Sequence, residues 1–297
     1  MTKLLIVPMP QNETMAAAVA RRSGEQAGVI ETRHFPDGET WLRYATDPNG
    51  CNVAIVCTLD RPDGKFLQLL FAAKAARELG AKRVGLVAPY LAYMRQDRRF
   101  RDGEAVTSKY FADVISGAFD WLVTIDPHLH RHRALSELYP IVARVGYAEP
   151  LIATWIRGNI PNPILIGPDQ ESEQWVAGIA EAAHAPFITL QKVRRGDRDV
   201  EIRVPDNGLL GARTPVIVDD IISSGETMLA TVRQLVNRGG ARPVCIAIHG
   251  IFAGDSAERL LNAGATVITS NTVAHRTNRI DITEVITSCI GELEPWD

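Results

Sequence analysis

The stretch VIVDDIISSGETM, residues 216–228, runs from apolar residues into two adjacent carboxylates, then two serines, a glycine, a glutamate and a threonine. Residues 216–218 read as a strand. Asp219 and Asp220 then stand at its carboxyl end, where open α/β sheets bind their ligands. Side chains alternate on an extended chain, so both carboxylates reach one neighbourhood only if the chain turns at that point. Ser223, Ser224, Gly225 and Thr227 follow, with a helix expected from about Thr227. Hydroxyls and N–H groups at a helix N-terminus form a cradle for a phosphate. Carboxylates beside such a cradle suit a sugar phosphate, with sugar hydroxyls on the aspartates and often a divalent cation. The competing reading is a helix-capping turn with Asp and Ser as caps. Two carboxylates at a buried edge are costly without partners, which favours a ligand.

Other segments carry chemistry of the same kind. RQDRRFR holds Arg95, Arg98, Arg99 and Arg101 within seven residues and directly follows an apolar run. Arginine forks match phosphate oxygens, although a charge run is more commonly a solvated loop. Gln96 and Asp97 inside the run, and its place after a strand, favour triphosphate binding. DPH places Asp126 and His128 after the apolar run WLVTI; His130 and His132 follow and read as surface residues. FPDGE, residues 35–39, is a turn by composition. The segment KVRRGDRDVEIRV, residues 192–204, is highly charged at its start and reads as a mobile hairpin or loop outside the core.

The elements that must position these groups are legible as short apolar runs at 3–8, 52–59, 83–90, 121–126, 163–169, 215–220, 243–250 and 266–271. They are almost continuously apolar, as strands covered on both faces of a parallel sheet are. Helical patterns lie between them at 65–80, 107–118, 173–184, 227–240 and 256–265, several ending at Gly. This alternation predicts an α/β protein with two tandem open parallel-sheet domains, residues 1–143 and 144–297. GAKRVGLVAPY in one half and GGARPVCIAIHG in the other form a weak internal repeat.

Composition sets the outer limits. The 297 residues suffice for two cores, and 46% hydrophobic with 23% charged content fits a globular chain. A net charge of −3 gives no bulk attraction to nucleic acid or an anionic membrane, so any polyanion site must come from local clustering. Cys51, Cys57, Cys245 and Cys289 form no CxxC pair and read as core thiols in a reducing cytoplasm. No apolar run approaches a membrane-spanning length, and the N-terminus reads as a first strand rather than a signal peptide.

The order of FPDGE, YMRQDRRFRDGEAVTSKYFADVI, TIDPH, GPD, KVR, VIVDDIISSGET and HGIFAG over most of the chain resembles the ribose-phosphate pyrophosphokinase family, whose domains have the type I phosphoribosyltransferase fold. The resemblance implies transfer of the diphosphoryl group of Mg2+-bound ATP to ribose 5-phosphate, in a cytoplasmic homo-oligomer with shared sites. It assigns Asp219, Asp220, Ser223, Ser224, Gly225 and Thr227 to ribose 5-phosphate and Arg95, Gln96 and Asp97 to ATP. It places Phe35, Asp37 and Glu39 against the adenine from a neighbouring subunit, and makes His128 and Asp169 magnesium–ATP ligands. Lys192 and Arg194 become the catalytic pair. Diphosphoryl transfer needs positive charge on the phosphate oxygens more than covalent help, and a cationic loop that closes over them supplies it.

Two segments depart from the family pattern. Residues 170–173 read QESE where small glycines are usual, adding Glu171 and Glu173; Glu226 stands where Gly or Ala is usual, and Ser224 replaces Thr. A carboxylate beside a phosphate repels it unless it turns away or a cation intervenes. The departures keep two other readings in view: a non-catalytic regulatory relative, and a phosphoribosyltransferase that consumes the activated sugar.

Overall fold

The computed structural model describes residues 3–129, 131–168, 172–194, 200–203 and 210–293. The chain forms two compact units, Met1–Tyr147 with Thr283–Asp297, and Ala148–Ile282. In chain order the first contains β1 (Leu4–Pro8), α1 (Glu13–Ser23), β2 (Gln26–Ala27), β3 (Ile30–His34), β4 (Thr40–Tyr44), β5 (Asn52–Val56), α2 (Asp63–Glu78), β6 (Arg83–Ala88), α3 (Thr107–Ala118), β7 (Trp121–Ile125) and β8 (Val142–Gly146). The second contains α4 (Glu149–Asn159), β9 (Pro163–Gly167), α5 (Glu173–Ala183), β10 (Phe187–Thr189), β11 (Gln191–Arg194), β12 (Val200–Arg203), β13 (Thr214–Ile222), α6 (Glu226–Asn237), β14 (Val244–Gly250), α7 (Ser256–Asn262), β15 (Thr266–Ser270) and β16 (Asn278–Ile280). The last helix, α8 (Thr283–Gly291), belongs to the first unit.

Each unit is built on a parallel sheet. The strand orders are β2-β1-β5-β6-β7-β8 and β10-β9-β13-β14-β15-β16. Every residue of β5, β7 and β14 is buried, as strands covered by helices on both faces must be. The apolar runs therefore mark the central strands, and the α/β class with open parallel sheets is the observed one. In each sheet the second strand lies on one side of the first and the next sheet strand on the other. The order reverses between β1 and β5, and between β9 and β13. Such a reversal opens a crevice beyond the strands' carboxyl ends.

Packing explains one glycine in the first sheet. Gly85 pairs with Trp121 across β6 and β7, and a Cβ at Gly85 would lie 1.9 Å from the indole. The fully buried Trp121 takes the space that a side chain would need.

The charged segment after residue 190 lies outside the core sheet as expected, as the antiparallel pair β11 with β12. The structure departs from the sequence reading in two places. β13 does not end before the aspartates but continues through them to Ile222, with Asp219 in register with Ala247 and Ile221 with His249. Finally, α8, expected in the second domain, packs on α1. Arg22 pairs with Glu284 at 2.6 Å, and Gly146 leaves room for Val285 and Cys289, where a Cβ would come within 2.4 Å of the valine. This tertiary packing has no local sequence signal.

Candidate active site

The loop after β13 begins in extended chain. Asp219 and Asp220 are half-buried on the strand, on opposite faces by alternation, and the Asp220 N–H donates to Asp219 Oδ1 at 3.0 Å. The turn comes three residues later than the sequence suggests, at Ser223, Ser224 and Gly225. Gly225 has φ +69° and immediately precedes α6. That left-handed backbone favours glycine, while a Cβ there would meet only ordinary contacts of 3.6 Å or more. No side chain caps α6, so its first turn presents N–H groups and the positive end of the helix dipole to the crevice. Thr227 lies half-buried in that turn.

The loop between β14 and α7 holds this turn in place. Ile251 and Phe252 donate their N–H groups to Ile222 O, both at 3.0 Å. Ser223 O accepts from Ala253 N–H at 3.1 Å and from Ser256 Oγ at 2.9 Å. Phe252 is buried with φ +48°, and its ring lies 4.5 Å from that of His275. Burial, with help from Arg276, lowers the His275 pKa, which favours the neutral ring against the phenyl. The HGIFAG motif thus has a supporting role here that sequence reading did not give it.

Glu226, the residue that looked incompatible with a phosphate, is turned to Arg259. Its two oxygens accept from the guanidinium at 2.6 and 3.2 Å. That hydrogen bond holds the Glu226 carboxyl below its ordinary pKa and raises that of Arg259. Glu173 is exposed on the first turn of α5, where a carboxylate complements the helix dipole. Asp169, Gln170 and Glu171 lie outside the described residues. Lys192 and Arg194 sit on β11, paired with Ile202 and Val200.

In the first unit, the RQD segment is tied to the stretch that follows DPH. Arg131 donates to both oxygens of Asp97, at 3.0 and 2.9 Å, and that carboxylate is almost fully covered. The same guanidinium lies 5.9 Å from the centre of the Phe100 ring, which also carries Arg98 at 4.8 Å. Gln96 Oε1 accepts from Thr107 Oγ1 at 2.9 Å, tying the segment to the start of α3, and Arg95 is exposed. Asp126 is buried with φ +36°, donates its N–H to Gly146 O at 2.9 Å, and leads to half-buried His128. His132 bonds Glu137 at 3.1 Å, and His130 lies outside the described residues. Residues 35–39 form the exposed connection of the β3–β4 hairpin, with Gly38 at φ +92° and Arg33 stacked 5.0 Å from the Phe35 ring.

Among the described residues no three His, Cys, Asp or Glu side chains converge as a metal cage. Magnesium takes substrate oxygens and waters with only one or two protein carboxylates, so the half-buried Asp219 and Asp220 are a donor set of the right kind.

Two parallel sheets, each with a crevice at a strand-order reversal, the second with a glycine turn leading into a helix, are the architecture of phosphoribosyltransferase-type domains. Residues 136–282 match the family model of the phosphoribosyl transferase domain, and residues 4–118 that of the N-terminal domain of ribose phosphate pyrophosphokinase. The chain is 30% identical over 287 residues to the ribose-phosphate pyrophosphokinase of Thermoplasma acidophilum, covering 96% of this chain and 98% of that one. It is 35% identical over 250 residues to that of Saccharolobus solfataricus, covering 82% and 84%. The chain belongs to the ribose-phosphate pyrophosphokinase family. The fold agrees: the phosphoribosylpyrophosphate synthetase of Mycobacterium smegmatis superposes with a TM-score of 0.85 over 98% of this chain and 99% of that one, at 21% identity. No described helix is long and apolar enough to cross a membrane.

Proposed function

We propose that the chain is a ribose-phosphate pyrophosphokinase that converts Mg2+-bound ATP and ribose 5-phosphate to AMP and 5-phosphoribosyl 1-diphosphate. The observation that carries this reading is the run of β13 through Asp219 and Asp220 into a glycine-turned, uncapped helix, in a chain related along nearly its whole length to such enzymes. The anomeric hydroxyl attacks the β-phosphorus, a new O–P bond forms, the bond from that phosphorus to the AMP oxygen breaks, and the hydroxyl proton is lost.

Ser223, Ser224, Gly225 and Thr227 bind the 5-phosphate, with the first-turn N–H groups of α6 directed at it. Asp219 and Asp220 orient the ribose hydroxyls. Arg95, Gln96 and Asp97 bind ATP, with Arg131 keeping Asp97 in place. Phe35, Asp37 and Glu39 reach the adenine of a neighbouring subunit in a cytoplasmic homo-oligomer; the exposure of residues 35–39 supports that role. Lys192 and Arg194 hold positive charge against the phosphate oxygens as AMP leaves. His128, Asp169 and the loop aspartates would hold magnesium, which supplies charge neutralisation on the phosphates when bound.

The outward pose of Glu226 removes one argument for a non-catalytic relative. The test is AMP release from MgATP with and without ribose 5-phosphate, beside a Lys192→Ala/Arg194→Ala control. AMP that depends on the sugar and vanishes in the control supports the assignment. ATP binding without AMP formation from any pentose phosphate refutes it.

A further inference from the structure

Glu226 lies between Gly225 and Thr227, in the first turn of α6. That turn attracts anions through its N–H groups and dipole, and a carboxylate that folds over it occupies the same cradle a phosphate would use. The structure directs the carboxylate elsewhere, onto Arg259 of α7, with both oxygens engaged. Arg259 is three residues beyond Ser256, so the two share one face of α7. Ser256 Oγ holds Ser223 O at 2.9 Å, and the Arg259 guanidinium holds Glu226. One helix face therefore holds both the first residue of the turn, Ser223, and the first residue of α6, Glu226. The side chains of Arg259 and Glu226 are 36% and 63% exposed, and an ion pair this exposed adds little to global stability. Its consequence is local, in where the Glu226 charge sits.

We propose that Arg259 is a positioning residue for the sugar-phosphate site, acting as a latch that draws Glu226 off the anion cradle; this rests on residues 219–227 being the ribose 5-phosphate loop. The latch accounts for a carboxylate at a position where the family resemblance expects Gly or Ala. It works as a unit: without Arg259, Glu226 is harmful, and without Glu226, Arg259 is dispensable.

The test is a double-mutant cycle over Arg259→Ala, Glu226→Ala and the pair. Arg259→Ala should raise KM for ribose 5-phosphate by about tenfold, because an unlatched carboxylate opposes the phosphate, with kcat and KM for MgATP within about twofold. Glu226→Ala should keep KM at or below the parent value, and the double variant should return to within about twofold of Glu226→Ala. Arg259→Lys, which keeps one charge but not the fork, should fall between parent and Arg259→Ala. An unchanged KM in Arg259→Ala, or a double variant as weak as Arg259→Ala, overturns the latch. Calorimetric titration of the same four proteins with inorganic phosphate separates this claim from the reaction. The same order of affinities without AMP formation refutes the reaction and keeps the latch. Equal affinities across the set, or no phosphate binding by any of them, refute the latch.

Discussion

The two units carry one architecture and differ at one crevice. Their sheets have the same strand order, α1 and α5 both begin at a glutamate, Glu13 and Glu173, and both end in a left-handed residue, Gly24 and His184. Each has an antiparallel hairpin outside the sheet, β3–β4 and β11–β12. Pairing gives the correspondence of β5 with β13: Val53 faces Val84 as Val216 faces Val244. On that register Val56 and Cys57 stand where the second unit has Asp219 and Asp220, and Pro62, at φ −65°, stands where it has Gly225 at φ +69°. The hydroxyls of Ser223 and Ser224 are replaced by Asp60 and Arg61.

In the first unit's crevice the polar side chains pair with one another. Lys65 is bonded to Asp60 and, at 3.1 Å, to Thr58 O. His34 meets Gln68 at 2.9 Å and Gly38 O at 3.1 Å. A cavity of about 320 Å³ remains there, lined by Gln11, Arg33, His34 and Lys65 among others. One fold thus provides two crevices with different loop chemistry, and on the proposed function that difference directs the phosphorylated sugar to the second.

This contrast can be broken by substitution. The largest effect should come from Asp219→Asn/Asp220→Asn, which removes the charge at the two positions where the first unit has the uncharged Val56 and Cys57. Catalytic efficiency with ribose 5-phosphate should fall at least about a hundredfold, read in steady-state kinetics, with ATP affinity preserved. Loss of ATP binding instead would place the aspartates elsewhere. Gly225→Ala should cost about 1–2 kcal/mol in urea unfolding and raise KM for the sugar, because strain at positive φ is the only penalty its surroundings impose.

Lys65→Met should leave KM for ribose 5-phosphate within about twofold while lowering Tm by roughly 2–4 °C for each kcal/mol lost from the stranded Asp60. A large KM effect would make the first crevice part of the sugar site. The effect that vanishes near neutral pH is shared by both units. Burial pushes the Cys57 and Cys245 thiols from 9.0 up to about 12. These thiols stay neutral in the folded chain and ionise first in the unfolded one. Stability should hold below pH 9 and decline as pH rises toward 12, as denaturant titrations across that range would show.

Much of this was legible in the sequence. Continuous apolar runs disclose the central strands because burial on both faces leaves no alternation. The edge strands β2, β10 and β16 are two or three residues long, too short for a pattern. β8 is exposed to half-buried along most of its length, and β3 with β4 is a largely polar hairpin, so neither looks like a core strand. The turn after β13 is visible because glycine, hydroxyls and a helix start are neighbours in the chain. The partners that steady the sites are not: Arg259 is 33 residues from Glu226, and Arg131 is 34 from Asp97. Only the fold brings those charges together. The delayed turn after β13 has the same origin, since pairing with β14 carries the strand beyond the aspartates.

The central claim is that two phosphates leave ATP together and arrive on the anomeric oxygen of the sugar. Phosphorus NMR of the products formed from MgATP and ribose 5-phosphate tests it directly. The account predicts AMP and a ribose bearing a 1-diphosphate in equal amounts. ADP with a ribose bisphosphate would contradict it.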